Sequence, residues 1–206
     1  MRRMTDAEVR DRLPRHRAWL FLEGDDGARL ELPGVDLPEI DLEGAELSEA
    51  ELSGANIRGA RLRVARLVRS SLAGADLADA DLSGADLTKA EMNQVHAPGA
   101  MIADATVRRT SFHRADLRAV RFHNSDLMKA FLDDADLSGA SFVGANLDRV
   151  GLTGARLVGT DFTAASGIET IVADWVEVQQ GGTVVRLEGP AVRSWLEGAR
   201  QGTQDG

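Results

Sequence analysis

Apolar residues recur at every fifth position through most of this chain, and the residue two places before each of them is usually small. The positions ending in 2 or 7 from Leu32 to Phe162 number 27, and all are apolar. Most are Leu, varied by Ile57, Met92, Ala97, Ile102, Val107, Phe112, Phe122, Phe142 and Phe162. The positions two earlier, ending in 0 or 5, are Ala in 17 of these 27 units. A period of five suits neither a strand nor a helix. One phase held over so many units predicts a solenoid.

Three consecutive units, Ala75-Asp76-Leu77-Ala78-Asp79, Ala80-Asp81-Leu82-Ser83-Gly84 and Ala85-Asp86-Leu87-Thr88-Lys89, show the arrangement. Ala and Leu point inward, Leu filling the interior and Ala sitting where the chain passes close to itself. Asp, Gly, Ser and Thr in the other places suit a turn in every unit. The pattern A-(D/N)-L-x-x resembles the pentapeptide-repeat family from Leu30 to about Ala165. That resemblance implies an all-β fold, a right-handed quadrilateral β-helix with one pentapeptide per side. About 20 residues would make a coil and about seven coils a rod ~32 Å long. Phe122, Phe142 and Phe162 should then stack in one interior column, continued by Ile102, Leu82, Leu62 and Leu42. Met92 can fill the space left by Ala97. Leu30, Val35 and Ile40 in the small place predict a wider or covered first coil.

A solenoid leaves two open ends, and both flanks read as caps. We expect three regions: an N-terminal helical cap (1–29), the pentapeptide-repeat β-helix (30–165), and a C-terminal cap of short strands, helix and frayed tail (166–206). In the first, residues 5–20 read as a helix with Thr5 as N-cap, Glu8 as its capping-box partner, and Val9, Leu13 and Trp19 on one face. Pro14 predicts a kink or an early stop. Asp25-Asp26-Gly27 reads as a turn. In the last, Ile168–Val178 and Thr183–Leu187 alternate like two strands joined by Gln179-Gln180-Gly181-Gly182. Pro190 opens a short helix carrying Ala191, Trp195 and Leu196, and the tail from Gln201 is polar. Trp195 and Leu196 could fold back on the last coil or meet a second copy. Folding back, and hence a monomer, is favoured over a C-terminal dimer, because Ile168, Ile171, Val172 and Trp175 offer a surface to cover.

Composition narrows the function. There is no cysteine, which excludes disulfides and thiolate chemistry and is compatible with a reducing cytoplasm. No signal-peptide pattern or membrane-length apolar run is visible, so no membrane association is expected. The net charge is −9, with the repeat acidic, which argues against direct nucleic-acid binding. His96, His113 and His123 fall on different sides of the coil and cannot converge on a metal. Asp76, Asp81, Asp86, Asp116, Asp126 and Asp136 belong to the repeat and line a convex rod without a cleft. No phosphate loop is present. We therefore expect no enzyme, no cofactor, no catalytic residue and no metal site.

Departures from the repeat are the informative surface positions. In the last place of every fourth unit stand Glu49, Arg69, Lys89, Arg109, Lys129 and Arg149, so five cations should stack along one edge. Asp86, Asp126 and Asp148 are placed to relieve their repulsion; the alternative is a strip for an acidic partner. Met128 and Phe131, both outward, flank Lys129 and have the composition of an interface hot spot. The expected function is a rigid, non-enzymatic protein–protein interaction module whose edge is Arg69, Lys89, Arg109, Met128, Lys129, Phe131 and Arg149. The resemblance also implies an alternative, a DNA mimic that binds or protects DNA gyrase or topoisomerase IV, as quinolone-resistance members do. Against it stand the modest acidity of the repeat and the basic edge.

Overall fold

The computed structural model describes residues 2–21 and 27–200. Within it, each pentapeptide makes one turn and one bridge. The bridges are parallel and join residues 20 apart, from Glu31 with Glu51 to Asn146 with Ser166. Four units therefore complete a coil, and successive coils stack in register.

Backbone hydrogen bonding explains the repeat. In the unit beginning at Asp81, the Asp81 N–H donates to Ala60 O of the preceding coil (2.9 Å), and Leu82 N–H donates to Met101 O of the following coil (2.7 Å). Gly84 N–H donates to Ala103 O (2.8 Å), and Ala85 N–H closes the turn on Leu82 O (3.0 Å). The remaining donor, Ser83 N–H, is taken by Asp81 Oδ1 at 2.9 Å. The same side-chain bond recurs from Ala78 to Asp76, Thr88 to Asp86, Ser138 to Asp136 and Asp148 to Asn146. Asp or Asn before Leu thus satisfies the one amide that the stacked coils leave over.

Every position ending in 4 or 9 from Gly34 to Ala164 is left-handed, with φ between 49° and 79°. Glycine adopts this region freely; most residues there carry a side chain and some strain. Val64 is the sharpest case, β-branched at φ 49° and 57% exposed, so no burial offsets its backbone.

The core is the two inward places of every unit. Leu77, Leu82 and Leu87 are fully buried, as are Ala75 and Ala85. Phe122 lies 5.0 Å from Phe142 and Phe142 lies 5.3 Å from Phe162, with ring planes within 6°. The expected column is present, and Ile102, Leu82, Leu62 and Leu42 continue it inside the core. Where Ser70, Thr110, Ser125 and Thr160 replace Ala, they are buried too. Each hydroxyl donates to a main-chain carbonyl, of Leu67, Leu87, Ile102 and Leu137 respectively.

At the N-terminus, strand β1 (Arg2–Arg3) pairs in parallel with β2 (Val35–Asp36). Helix α1 (Asp6–Phe21) follows. Its capping box is formed: Thr5 N–H donates to Glu8 Oε2 at 2.7 Å, and Glu8 N–H donates to Thr5 Oγ1 at 3.3 Å. The helix continues through Pro14 and does not stop there. Val9 and His16 are its buried residues, the helix packing against the first coil over the large Leu30 and Ile40 of the small place. The Leu30 N–H donates to His16 Nδ1 at 3.0 Å. Of the Asp25-Asp26-Gly27 turn, only Gly27 lies among the described residues, and the tail from Gln201 lies outside them.

At the C-terminus the phase slips by one residue, since Gly151 bridges Val172 and Arg156 bridges Glu177. Ile168–Thr170 is a 3-10 turn, where the alternation predicts strand. Gly167 causes the departure: it has φ 77°, and a Cβ there would lie 2.4 Å from Asp148 N. Strand β3 (Trp175–Gln180) then pairs antiparallel with β4 (Thr183–Glu188) across Gly181 and Gly182. The turn is two residues, both at positive φ, because Gln179 and Gln180 belong to the strand. Helix α2 (Pro190–Arg200) buries Val192, Leu196 and Ala199, and Trp195 meets Phe162 edge-on at 6.2 Å.

Two predictions follow from these local constraints. Val64→Gly should stabilise the protein by about 1 kcal/mol in a urea melt, the relief of left-handed strain exceeding the added chain entropy; a loss of stability would mean that Val64 packs usefully. The second concerns His16, which is fully buried. Burial lowers its pKa from 6.5, against the opposing pull of the Ser48 carbonyl, Glu46 and Glu49, while Arg29 lowers it further. The unfolded chain therefore takes up the proton first, so stability is complete above 6.5 and falls as pH drops through 6.5 toward the depressed folded value. His16→Gln, which keeps an acceptor for Leu30, should show a flatter pH dependence in that window by tryptophan-monitored melts.

Candidate interaction surface

The outward side chains form columns, because residues 20 apart are neighbours. The column Glu49, Arg69, Lys89, Arg109, Lys129, Arg149 occupies left-handed turn positions on one corner, φ 55–61°. Arg69, Lys89, Arg109 and Arg149 are exposed and Lys129 is half-buried. Met128 is half-buried beside Lys129, and Phe131, on the next side, is 49% exposed. Phe131 bridges Ser111 on one coil and Gly151 on the other, so it stands between two small residues. The structure brings all seven expected residues to one corner and the side next to it.

Elsewhere charge is paired between coils. All five arginines from Arg58 to Arg69 reach a carboxylate of an adjacent coil. Arg61 meets Asp41 at 3.0 Å, Arg66 meets Glu46 at 3.3 Å, and Arg69 meets Glu49 at 3.5 Å. Arg58 meets Asp79 at 2.5 Å and Arg63 meets Asp81 at 3.3 Å. These exposed pairs are weak singly, but they cancel much of the surface field. Reading the chain at spacings of 20 shows the signal, Asp41-Arg61-Asp81 and Glu46-Arg66-Asp86, which adjacent-residue reading misses.

The corner departs from this scheme. Among the described residues Asp86, Asp126 and Asp148 form no ion pair with the corner cations, where the sequence leads one to expect it. Asp86 accepts from Thr88, Asp126 from Arg108 and Asn146, and Asp148 from the Thr170 hydroxyl. Asp86 and Asp126 also accept from the turn amides of Thr88 and Met128. Among the described residues, Lys89, Arg109, Lys129 and Arg149 make no ion pair.

Each histidine of the repeat meets a partner on the next coil. His96 lies 3.0 Å from Asp116, His113 lies 3.8 Å from Asp134, and His123 Nε2 lies 2.9 Å from Ser141 Oγ. Hydrogen bonds from Arg118, outweighing desolvation, hold the Asp116 carboxyl below its ordinary range, with the Arg118 and His96 charges adding to the effect. No group of three metal-binding side chains occurs among the described residues, and no described helix is long and apolar enough to cross a membrane.

A stack of five-residue units with a patterned convex surface defines a pentapeptide β-solenoid. The family model for Pentapeptide repeats matches in 8 copies over residues 32–63, 65–100, 102–134 and 130–166. The chain belongs to the pentapeptide repeat family. No curated protein matches the sequence. Similar solved structures include full-length QnrB1, a plasmid-mediated fluoroquinolone resistance protein, at 15% identity over 74% of this chain and 92% of that one, TM-score 0.40. Rfr23 from the cyanobacterium Cyanothece is 20% identical over 66% and 86% of the two chains, TM-score 0.40. HetL from the cyanobacterium Nostoc, involved in heterocyst differentiation regulation, is 27% identical over 74% and 81%, TM-score 0.25.

Because Arg109 lies between Lys89 and Lys129 without a counter-ion, Arg109→Glu should raise stability by ~0.5 kcal/mol at low salt, the gain shrinking as salt is added. A loss above ~1 kcal/mol in urea melts would show that the arginine is part of the rod's own packing.

Proposed function

We propose that this protein is a non-enzymatic interaction rod, held as a monomer in the cytoplasm, that docks an acidic protein on the corner formed by Lys89, Arg109, Lys129 and Arg149 with Met128 and Phe131. Residues 30–165 form the rod, and the segments 1–29 and 166–206 serve as its end caps. The carrying observation is that these four adjacent cations lack the inter-coil carboxylates that the Arg58–Arg69 coil has. Like charges stacked one coil apart repel, so their place is better explained by a partner than by stability. Charge steers the encounter, and Phe131 supplies apolar area to hold it. The alternative, a DNA mimic directed at gyrase or topoisomerase IV, asks for continuous acidic faces. Arginines 61, 63, 66 and 69 interrupt the columns begun by Asp41, Glu43, Glu46 and Glu49.

The test compares proteins captured from the source cell's extract by the immobilised rod and by Arg109→Glu/Lys129→Glu. Glutamate is already native to this column at Glu49, φ 59°, so the double variant should fold. Loss of a specific captured protein supports the corner. Unchanged capture with equal stability rejects it, and capture of a topoisomerase by both proteins would transfer the assignment to the acidic faces.

A further inference from the structure

The corner has a fixed spacing, and that spacing selects the shape of its partner. We infer that the partner element is an α-helix lying along the rod with one acidic stripe, an inference that rests on the proposed interaction role. The coils are joined by parallel bridges at a 20-residue offset, so consecutive corner residues are ~4.8 Å apart and Lys89 to Arg149 spans ~14 Å. A helix rises about 1.5 Å per residue, so carboxylates at i, i+3, i+7 and i+10 span ~15 Å on one face. An extended strand offers side chains on one face only at every second residue; four of them span ~20 Å and fall out of step with the cations.

The neighbouring positions agree with this choice. Phe131 projects from a side where the stacked residues before and after it are Ser111 and Gly151. It is therefore an isolated knob, and the surface of a helix offers a hole between residues three and four apart to receive it. The half-buried Met128 on the other side of Lys129 widens the apolar contact. The helix would present its carboxylates to the column and an apolar edge to Phe131. Serial turn positions at nearly constant φ give the four Cα–Cβ bonds a common direction, so the register of the column is set by the backbone before any partner arrives.

Fluorescence anisotropy with three labelled peptides of about 20 residues tests this. One is alanine-rich with glutamates at i, i+3, i+7 and i+10 and a leucine beside them. The second has the same glutamates but two interior prolines that break the helix. The third carries glutamates at every second residue among β-branched residues. The helical peptide should bind the full chain at least about tenfold more tightly than either control. Its binding should weaken with salt, be lost in Lys89→Glu/Lys129→Glu, and dissociate faster in Phe131→Ala. Equal binding of the broken or extended peptide overturns the helical partner while leaving an acid-binding corner. If no peptide binds but the corner variant still loses its cellular partner, the helix assignment fails alone. If neither assay responds to the corner charges, the interaction role fails with it. Tighter binding of a labelled DNA duplex at the same salt, abolished by the same variants, would reassign the corner to a phosphate backbone.

Discussion

The structure depends on one constraint, the stacking of main-chain amides between coils at a fixed offset of 20 residues. Each coil side is a single bridge, too short to hold as an isolated strand pair. It persists because each unit donates to the coil before it, to the coil after it and across its own turn. The Asp or Asn before each Leu closes the account by taking the amide left over. The interior is therefore narrow, with room for one large and one small residue per unit.

This geometry decides what the surface can do. Side chains 20 residues apart stand about 4.8 Å from each other, so the energetic neighbours of a charge lie on other coils. In the coil from Arg58 to Arg69, this closeness turns opposite charges into cross-coil pairs. On the corner from Lys89 to Arg149, it sets like charges against each other. Arg69, which pairs with Glu49, and the unpaired Lys89 on the next coil share the same left-handed backbone, so on this corner the difference belongs to the side chains.

The ends meet the constraint in two ways. At the N-terminus, β1 adds a parallel rung to Val35–Asp36 and α1 lies against the large residues of the first coil. There His16 accepts the Leu30 amide, a main-chain donor at the point where the regular ladder begins. At the C-terminus, the stacked aromatic column runs on to Trp195, whose edge meets Phe162. β3 continues the coil bridges through Glu177 while also pairing with β4. Bulk that no coil can hold is thus placed beyond the repeat.

Much of this was legible in the chain. The five-residue phase determines which side chains are buried, and the 20-residue spacing places Phe122, Phe142 and Phe162 in one stack. Thr5 and Glu8 announce the start of α1, and Pro190 that of α2, because caps and prolines act within one turn. The residues of the corner could also be named, since a repeat makes its exceptions conspicuous. Tertiary structure alone decided three things. Gly167 breaks the phase because its backbone passes over Asp148, a contact between residues of different coils. His16 is buried because the helix docks on the first coil, which helical periodicity does not reveal. Asp86, Asp126 and Asp148 accept from turn amides, Arg108, Asn146 and Thr170, and among the described residues they form no ion pair with the corner cations. Composition counts charges; only the direction in which each carboxylate is held determines which cations remain free to meet another molecule.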